Sequence, residues 1–146
     1  MKNTVYTILL AFLFSACKHE VKPSDIAKVN GYWEIEKVIF ADGQHKDYSI
    51  NETYDYFEIK GAQGFRKKVM PQLNGHFEAN NISEHIAVVT KDGQTWFYYS
   101  TPYAKWKEEL VSVTDKELVL LNAEKKEYHY KKTGPINLTG DGKTTK

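Results

Sequence analysis

Two residue types are almost missing from this 146-residue chain: it has one cysteine, Cys17, and one arginine, Arg66. A single thiol excludes an internal disulfide and any metal site built from several thiolates. With lysine supplying every other basic side chain and a net charge of +1, the arginine-rich patch expected of a nucleic-acid groove is missing too. After Cys17 no apolar stretch approaches the ~20 residues of a membrane-spanning helix. His19, His45, His76, His85 and His129 fall at spacings that match no metal motif, and there is no H-E-x-x-H, G-x-S-x-G elbow or phosphate loop. Glu108 and Glu109 are adjacent, so on a strand they point to opposite faces and cannot act as a facing acid/base pair.

The only strongly hydrophobic run comes first. Lys2 supplies a positive start, Val5 to Phe14 is apolar apart from Tyr6 and Thr7, and Ser15 and Ala16 are small residues directly before Cys17. That is the layout of a secretory signal. The ending Phe14-Ser15-Ala16-Cys17 resembles the lipobox of bacterial lipoproteins, which implies cleavage before Cys17 and lipidation of its thiol. The expected organisation is a signal peptide over 1–16, a lipidated tether over 17–23, a folded domain over 24–132 and a flexible tail over 133–146. Loss of 1–16 removes Lys2 and no acid, leaving a mature chain of zero net charge. Two or more acyl chains, at about 0.8 kcal/mol per buried CH₂, give durable membrane anchoring. The expected location is the cell envelope, and Lys18 after the cysteine, by resemblance to enteric lipoproteins, favours the outer membrane.

Past a short helical turn begun by Ser24 as N-cap and ended at Asn30-Gly31, the chain reads as strands and turns. Asp42-Gly43, Asn74-Gly75 and Asp92-Gly93 are hairpin signals of the type I′ kind, each between segments rich in β-branched and aromatic residues. The predicted strands are 32–40, 45–50, 54–60, 64–70, 76–80, 84–90, 95–100, 106–113, 117–122 and 126–132. Tight hairpins make antiparallel neighbours, and a meander of eight to ten of them removes its edges by closing on itself. The fold class is therefore all-β, an antiparallel up-and-down barrel with one short N-terminal helical turn.

Gly31-Tyr32-Trp33 resembles the G-x-W motif that opens the first strand of lipocalins and related calycin barrels, where the Trp closes one end beneath a basic side chain from a late strand. The resemblance assigns that partner to Lys131 or Lys132, since no arginine is available there. The segments Gly64-Phe65-Arg66-Lys67-Lys68-Val69, Tyr99-Ser100-Thr101-Pro102-Tyr103-Ala104-Lys105-Trp106, Glu117-Leu118-Val119-Leu120 and Glu127-Tyr128-His129-Tyr130 are similar to the small lipocalin-like lipoproteins of Bacteroidota. That family implies a calycin-type barrel on a lipid anchor, without a reaction, cofactor or established ligand.

Aromatic residues make up 14% of the chain, enough to line a pocket or to fill one. Trp96 to Tyr99 run consecutively, and the pairs Tyr54/Tyr56 and Tyr128/Tyr130 alternate along their strands. They read either as a pocket for a small apolar or amphipathic ligand or as a filled core with cross-strand aromatic pairs outside. The candidate ligand-binding residues are Trp33, Tyr56, Arg66, Tyr99, Tyr128 and Tyr130, and whether Tyr56 or Phe57 points inward depends on register. The doublets Lys67-Lys68, Lys125-Lys126 and Lys131-Lys132 read as solvated surface. The expected function is non-catalytic ligand binding with the membrane as anchor. The alternatives are a solid-core structural or assembly lipoprotein that meets an envelope protein, and a small hydrolase or isomerase, which would need a buried titratable cluster converging in a cleft.

Overall fold

The computed structural model describes residues 20–135. Cys17, the predicted signal peptide and most of the predicted tail lie outside the described residues.

Ten antiparallel strands follow in chain order: β1 (Gly31–Ile39), β2 (His45–Asp47), β3 (Tyr54–Lys60), β4 (Gln63–Pro71), β5 (Phe77–Ala79), β6 (Glu84–Lys91), β7 (Gln94–Ser100), β8 (Lys105–Val113), β9 (Glu117–Asn122) and β10 (Glu127–Thr133). Eight of them close a barrel in the order β1, β3, β4, β6, β7, β8, β9, β10, with β10 returning to pair with β1 from Tyr32↔Thr133 to Ile39↔Glu127. The three-residue strands β2 and β5 are flaps on β1 and β4, not staves. All ten predicted strands are present, and the barrel is the predicted one.

Two bulges keep the apolar faces inward. A register shift between Ile35 and Lys37 lets Trp33 and Val38, five residues apart, both be buried, and another between Leu110 and Ser112 does the same for Leu110 and Val113. The interior packs Trp33, Phe57, Ile86, Phe97, Leu110, Leu118 and Leu120 at 2% exposure or less.

The turn chemistry differs from the expectation at two places. Only Asp92-Gly93 has both residues at positive φ (54° and 74°), as a type I′ turn requires. At Gly43 and Gly75 only the glycine is left-handed, and each closes a three-residue loop, with Phe40 N bonded to Gln44 O and Gln72 N to His76 O, both 2.8 Å. The β9–β10 turn repeats this pattern with Lys125 (φ 61°) in the glycine's place.

One end of the barrel is plugged. A 3-10 helix, Pro23–Val29, lies across it, starting one residue before the predicted N-cap because Pro23 already has the φ a helix needs. The Asp25 carboxylate, rather than Ser24, accepts from the helix start, at Lys22 N (3.2 Å). Val29 is fully buried, and its carbonyl accepts from the Trp33 indole at 2.7 Å. The Asn30 side chain acts as a short strand against β3, donating to Ile59 O (3.1 Å) and accepting from Ile59 N (2.6 Å). Gly31 (φ 115°) turns the chain into β1, and a Cβ there would stand 3.2 Å from Lys132 Nζ. Lys132 Nζ sits 4.3 Å from the Trp33 ring centroid and donates to Lys28 O (2.9 Å) and to Asn30 O. Lysine thus fills the role that the G-x-W resemblance assigned to it.

Candidate functional site

The polar interior lies toward the opposite, open end. Antiparallel register builds it: Asp55 pairs with Lys68, Phe57 with Arg66, and Arg66 in turn with Glu84 across β3, β4 and β6. On the facing wall Tyr99 pairs with Trp106, Phe97 with Glu108 and Glu108 with Asn122, while Tyr130 stands opposite Ile35 and Leu118. Asp55, Arg66, Tyr99, Glu108 and Tyr130 are all less than 9% exposed.

Arg66 is the hub. Its Nε donates to Glu84 and one terminal nitrogen reaches Glu108 Oε2 at 3.4 Å. The guanidinium lies 4.5 Å from the Tyr99 ring centroid and 5.8 Å from that of Phe57. Lys68 Nζ is 2.6 Å from Asp55 Oδ1. Trp106 stacks on Tyr99 with centroids 5.2 Å apart and planes at 8°. Nearer the mouth, the Asn122 amide donates to Tyr128 Oη at 3.3 Å, and Lys68, Glu84, Trp106, Asn122 and Tyr128 keep some solvent exposure.

Burying an ion costs several kcal/mol after relaxation, so this cluster persists only through mutual compensation. Burial pushes the Glu108 carboxyl above the usual carboxylate range, and Arg66 opposes that rise without cancelling it. Burial likewise lifts the Tyr99 and Tyr130 hydroxyls well above their ordinary range. For Arg66 burial acts downward, but Tyr99, Asp55, Glu108 and Glu84 outweigh it and tighten its hold on its proton. Three carboxylates face two cations, so a proton on Glu108 makes the cluster neutral. The enclosed Tyr99 hydroxyl sits beside Glu108 without forming an aligned hydrogen bond.

Of the predicted ligand-binding residues, Arg66, Tyr99 and Tyr130 meet in this cluster and Tyr128 stands above it. Trp33 is at the plugged end, where it seals the barrel instead of lining a pocket. Tyr56 is on the outer face, because the register buries Asp55, Phe57 and Ile59 on β3. There Tyr56 joins an external aromatic strip: its ring is 4.8 Å from Tyr32 and 6.0 Å from Phe65, and Tyr32 stacks on Phe77 at 4.0 Å. Asp55 and Glu84 were missed by sequence reasoning, since acids in alternating strands are normally assigned to the solvent face. In two of the lysine doublets one member has a specific partner: Lys68 reaches the buried Asp55 while staying exposed, and Lys132 lies over Trp33.

Two shallow grooves of about 460 and 430 Å³ share His85, one including Gly64 and Phe65, the other Ala87, Tyr98, Lys107 and, from the site above, Tyr99 and Trp106. Among the described residues no group of three His, Cys, Asp or Glu is placed to hold a metal ion.

A lipocalin-like domain model matches residues 29–120. The fold is similar to that of a lipocalin-like protein from Bacteroides uniformis (11% identity, 73% of this chain and 99% of that one, TM-score 0.45). It is also similar to an uncharacterized protein from Bacteroides eggerthii (14% identity, 71% and 98%, TM-score 0.44) and to apocrustacyanin C2 (8% identity, 80% and 67%, TM-score 0.49). No curated protein matches the chain. The match spans helix end, G-x-W strand and barrel wall through β9, and the chain belongs to the lipocalin-like domain family.

Proposed function

We propose that this protein is a lipid-anchored envelope lipoprotein, held through Cys17, whose barrel binds a small amphipathic molecule at its open end without catalysis. The observation that carries the reading is the buried Arg66–Glu108–Asp55 cluster with Tyr99 and Tyr130. A barrel that served only as a solid support would be as stable or more so with apolar residues there. The cations already have carboxylate partners, so the head group this cluster suits is uncharged and hydrogen-bonding, a hydroxyl, carbonyl or amide. Tyr99 and Glu108 would meet it, and Lys68, Trp106 and Tyr128 would surround the entry. The buried titratable cluster is one of two features that a catalytic reading requires. The other is a cleft on which such groups converge, and of the cluster only Tyr99 lines either of the two grooves.

A second reading has its own support. Arg66 and Lys68 are fully engaged by carboxylates, and the external strip of Tyr32, Tyr56, Phe65 and Phe77 suits a structural lipoprotein that meets an envelope protein. Native mass spectrometry of the mature chain purified from its own host separates the two. A small molecule retained one-to-one supports carriage, whereas a persistent ligand-free mass beside a bound protein favours the structural reading.

A further inference from the structure

The two ends of the barrel differ in what they expose and in where the chain enters. The described chain begins at the plugged end. Val21 packs into the core, and the Glu20 carboxylate lies beside Gly93 in the β6–β7 turn, 3.6 Å from where a Cβ on that glycine would stand. From Cys17 to Glu20 there are three peptide links, a reach of at most about 11 Å. The open end is farther away than that. A nine-residue strand such as β4 or β8 rises roughly 30 Å, or about 20–25 Å along the axis of a barrel with ordinary strand tilt.

Large apolar side chains meet solvent along the outer wall and at the mouth. Tyr103 (92% exposed) stands in the β7–β8 turn at the mouth, whereas Ile50 (89%) and Ile82 (56%) lie part-way down the outer wall, where nearby Asn51 and Asn80 donate to Ile35 O (2.9 Å) and Lys68 O (3.2 Å). The plugged-end turns at Gly61-Ala62, Asp92-Gly93 and Asp115-Lys116 expose no large apolar residue.

We infer that the barrel stands on the membrane by its plugged end and opens its mouth away from the bilayer, into the aqueous compartment. This rests on the lipid-anchored reading of Cys17. A mouth-down arrangement would require the tether to run the height of the barrel, about twice its length. The consequence for binding is directional. The amphipathic ligand enters from the aqueous side past the rim, already outside the anchoring bilayer, and does not pass sideways out of that bilayer. The ligand class is therefore one that leaves membranes readily, short-chained or bearing a bulky polar head.

The test uses the full chain, lipidated during expression and reconstituted into phosphatidylcholine vesicles that contain a nitroxide-headgroup lipid. One fluorophore is attached through Lys116→Cys at the plugged end, or through Tyr103→Cys at the rim; the acylated Cys17 does not react. The expected result is quenching at position 116 at least threefold stronger than at position 103. Equal quenching, or stronger quenching at 103, with the protein still vesicle-bound, overturns the orientation while leaving the anchor intact. A chain that starts at Lys18, without signal peptide or Cys17, should leave both labelled proteins off the vesicles. If that shortened chain floats with vesicles as the parent does, the anchor reading fails and the orientation falls with it.

Discussion

Replacing Arg66 by Met removes the cation that Glu84 and Glu108 share and leaves the surrounding carboxylates inside the barrel without it. Removing one partner of a buried ion pair costs about 3–5 kcal/mol, a large share of the roughly 5–15 kcal/mol that holds a domain of this size together. The loss should depend on pH in a definite direction. Burial raises the Glu108 carboxyl above its unfolded value, so the folded protein holds this proton more tightly than the unfolded chain. Stability from that difference is fully present below the unfolded pKa and is lost as pH rises through the folded one. Arg66 is the principal group pulling Glu108 down, so its removal raises the folded value further and extends the window upward. Urea unfolding followed by tryptophan fluorescence at pH 5 and pH 8 should therefore show a larger deficit for Arg66→Met at pH 8. The double variant Arg66→Met/Glu108→Gln should recover part of the loss at pH 8. A deficit below about 1 kcal/mol, equal at both pH values and unrelieved in the double variant, would refute the claim that these charges are buried and interdependent.

Three further outcomes follow from the frame around the site. Lys132→Met removes the cation over Trp33 and the donor to Lys28 O and Asn30 O, and should lower stability by about 1–2 kcal/mol in urea unfolding, while Lys131→Met on the outer face should cost less than about 0.5 kcal/mol. Gly64→Ala would push a Cβ into the Glu58 carbonyl oxygen and to 2.8 Å from Ile59 Cα, so a loss of about 2–3 kcal/mol is expected, read as a fall in the thermal midpoint. Lys125→Gly relieves a left-handed lysine at the αL position that Gly43 and Gly75 occupy in the matching loops, and should raise stability by up to about 1 kcal/mol, checked by the same unfolding series.

Much of the frame could be read from residue types because it depends on local chemistry. Hairpin signals and β-branched runs place all ten strands, and Gly31, Trp33 and a late lysine are recognisable as one device although Lys132 lies about a hundred residues from Gly31. The opposite orientation of Glu108 and Glu109 also follows from strand geometry alone; Glu108 faces the interior and Glu109 meets Gln94 on the outside at 3.0 Å. The site was less legible. Strand β3 reads Tyr-Asp-Tyr-Phe-Glu-Ile-Lys, with aromatics on both faces, so period-2 alternation yields two faces but no choice between them. The choice is made by pairing with β1 and β4, which puts Phe57 against Arg66 and carries Asp55 inward with it. Arg66 stood out through its rarity, but the acids that compensate it come from β3, β6 and β8, and only closure of the barrel brings them together. The two turns expected as type I′ became three-residue loops for a similar reason: a glycine reports that one left-handed residue is needed, not how many residues the loop contains.

The most direct test of the binding account is a tryptophan-fluorescence titration of the mature chain with decanol and decanoate, which share a chain and differ in head group; Trp106, stacked on Tyr99 at the mouth, is the reporter. The account predicts saturable one-to-one binding of decanol, tighter than decanoate at pH 7.5, weakened roughly threefold to tenfold by Tyr99→Phe and unchanged by Tyr56→Phe. Absence of saturation with either compound, or equal losses for the two tyrosine variants, would contradict it.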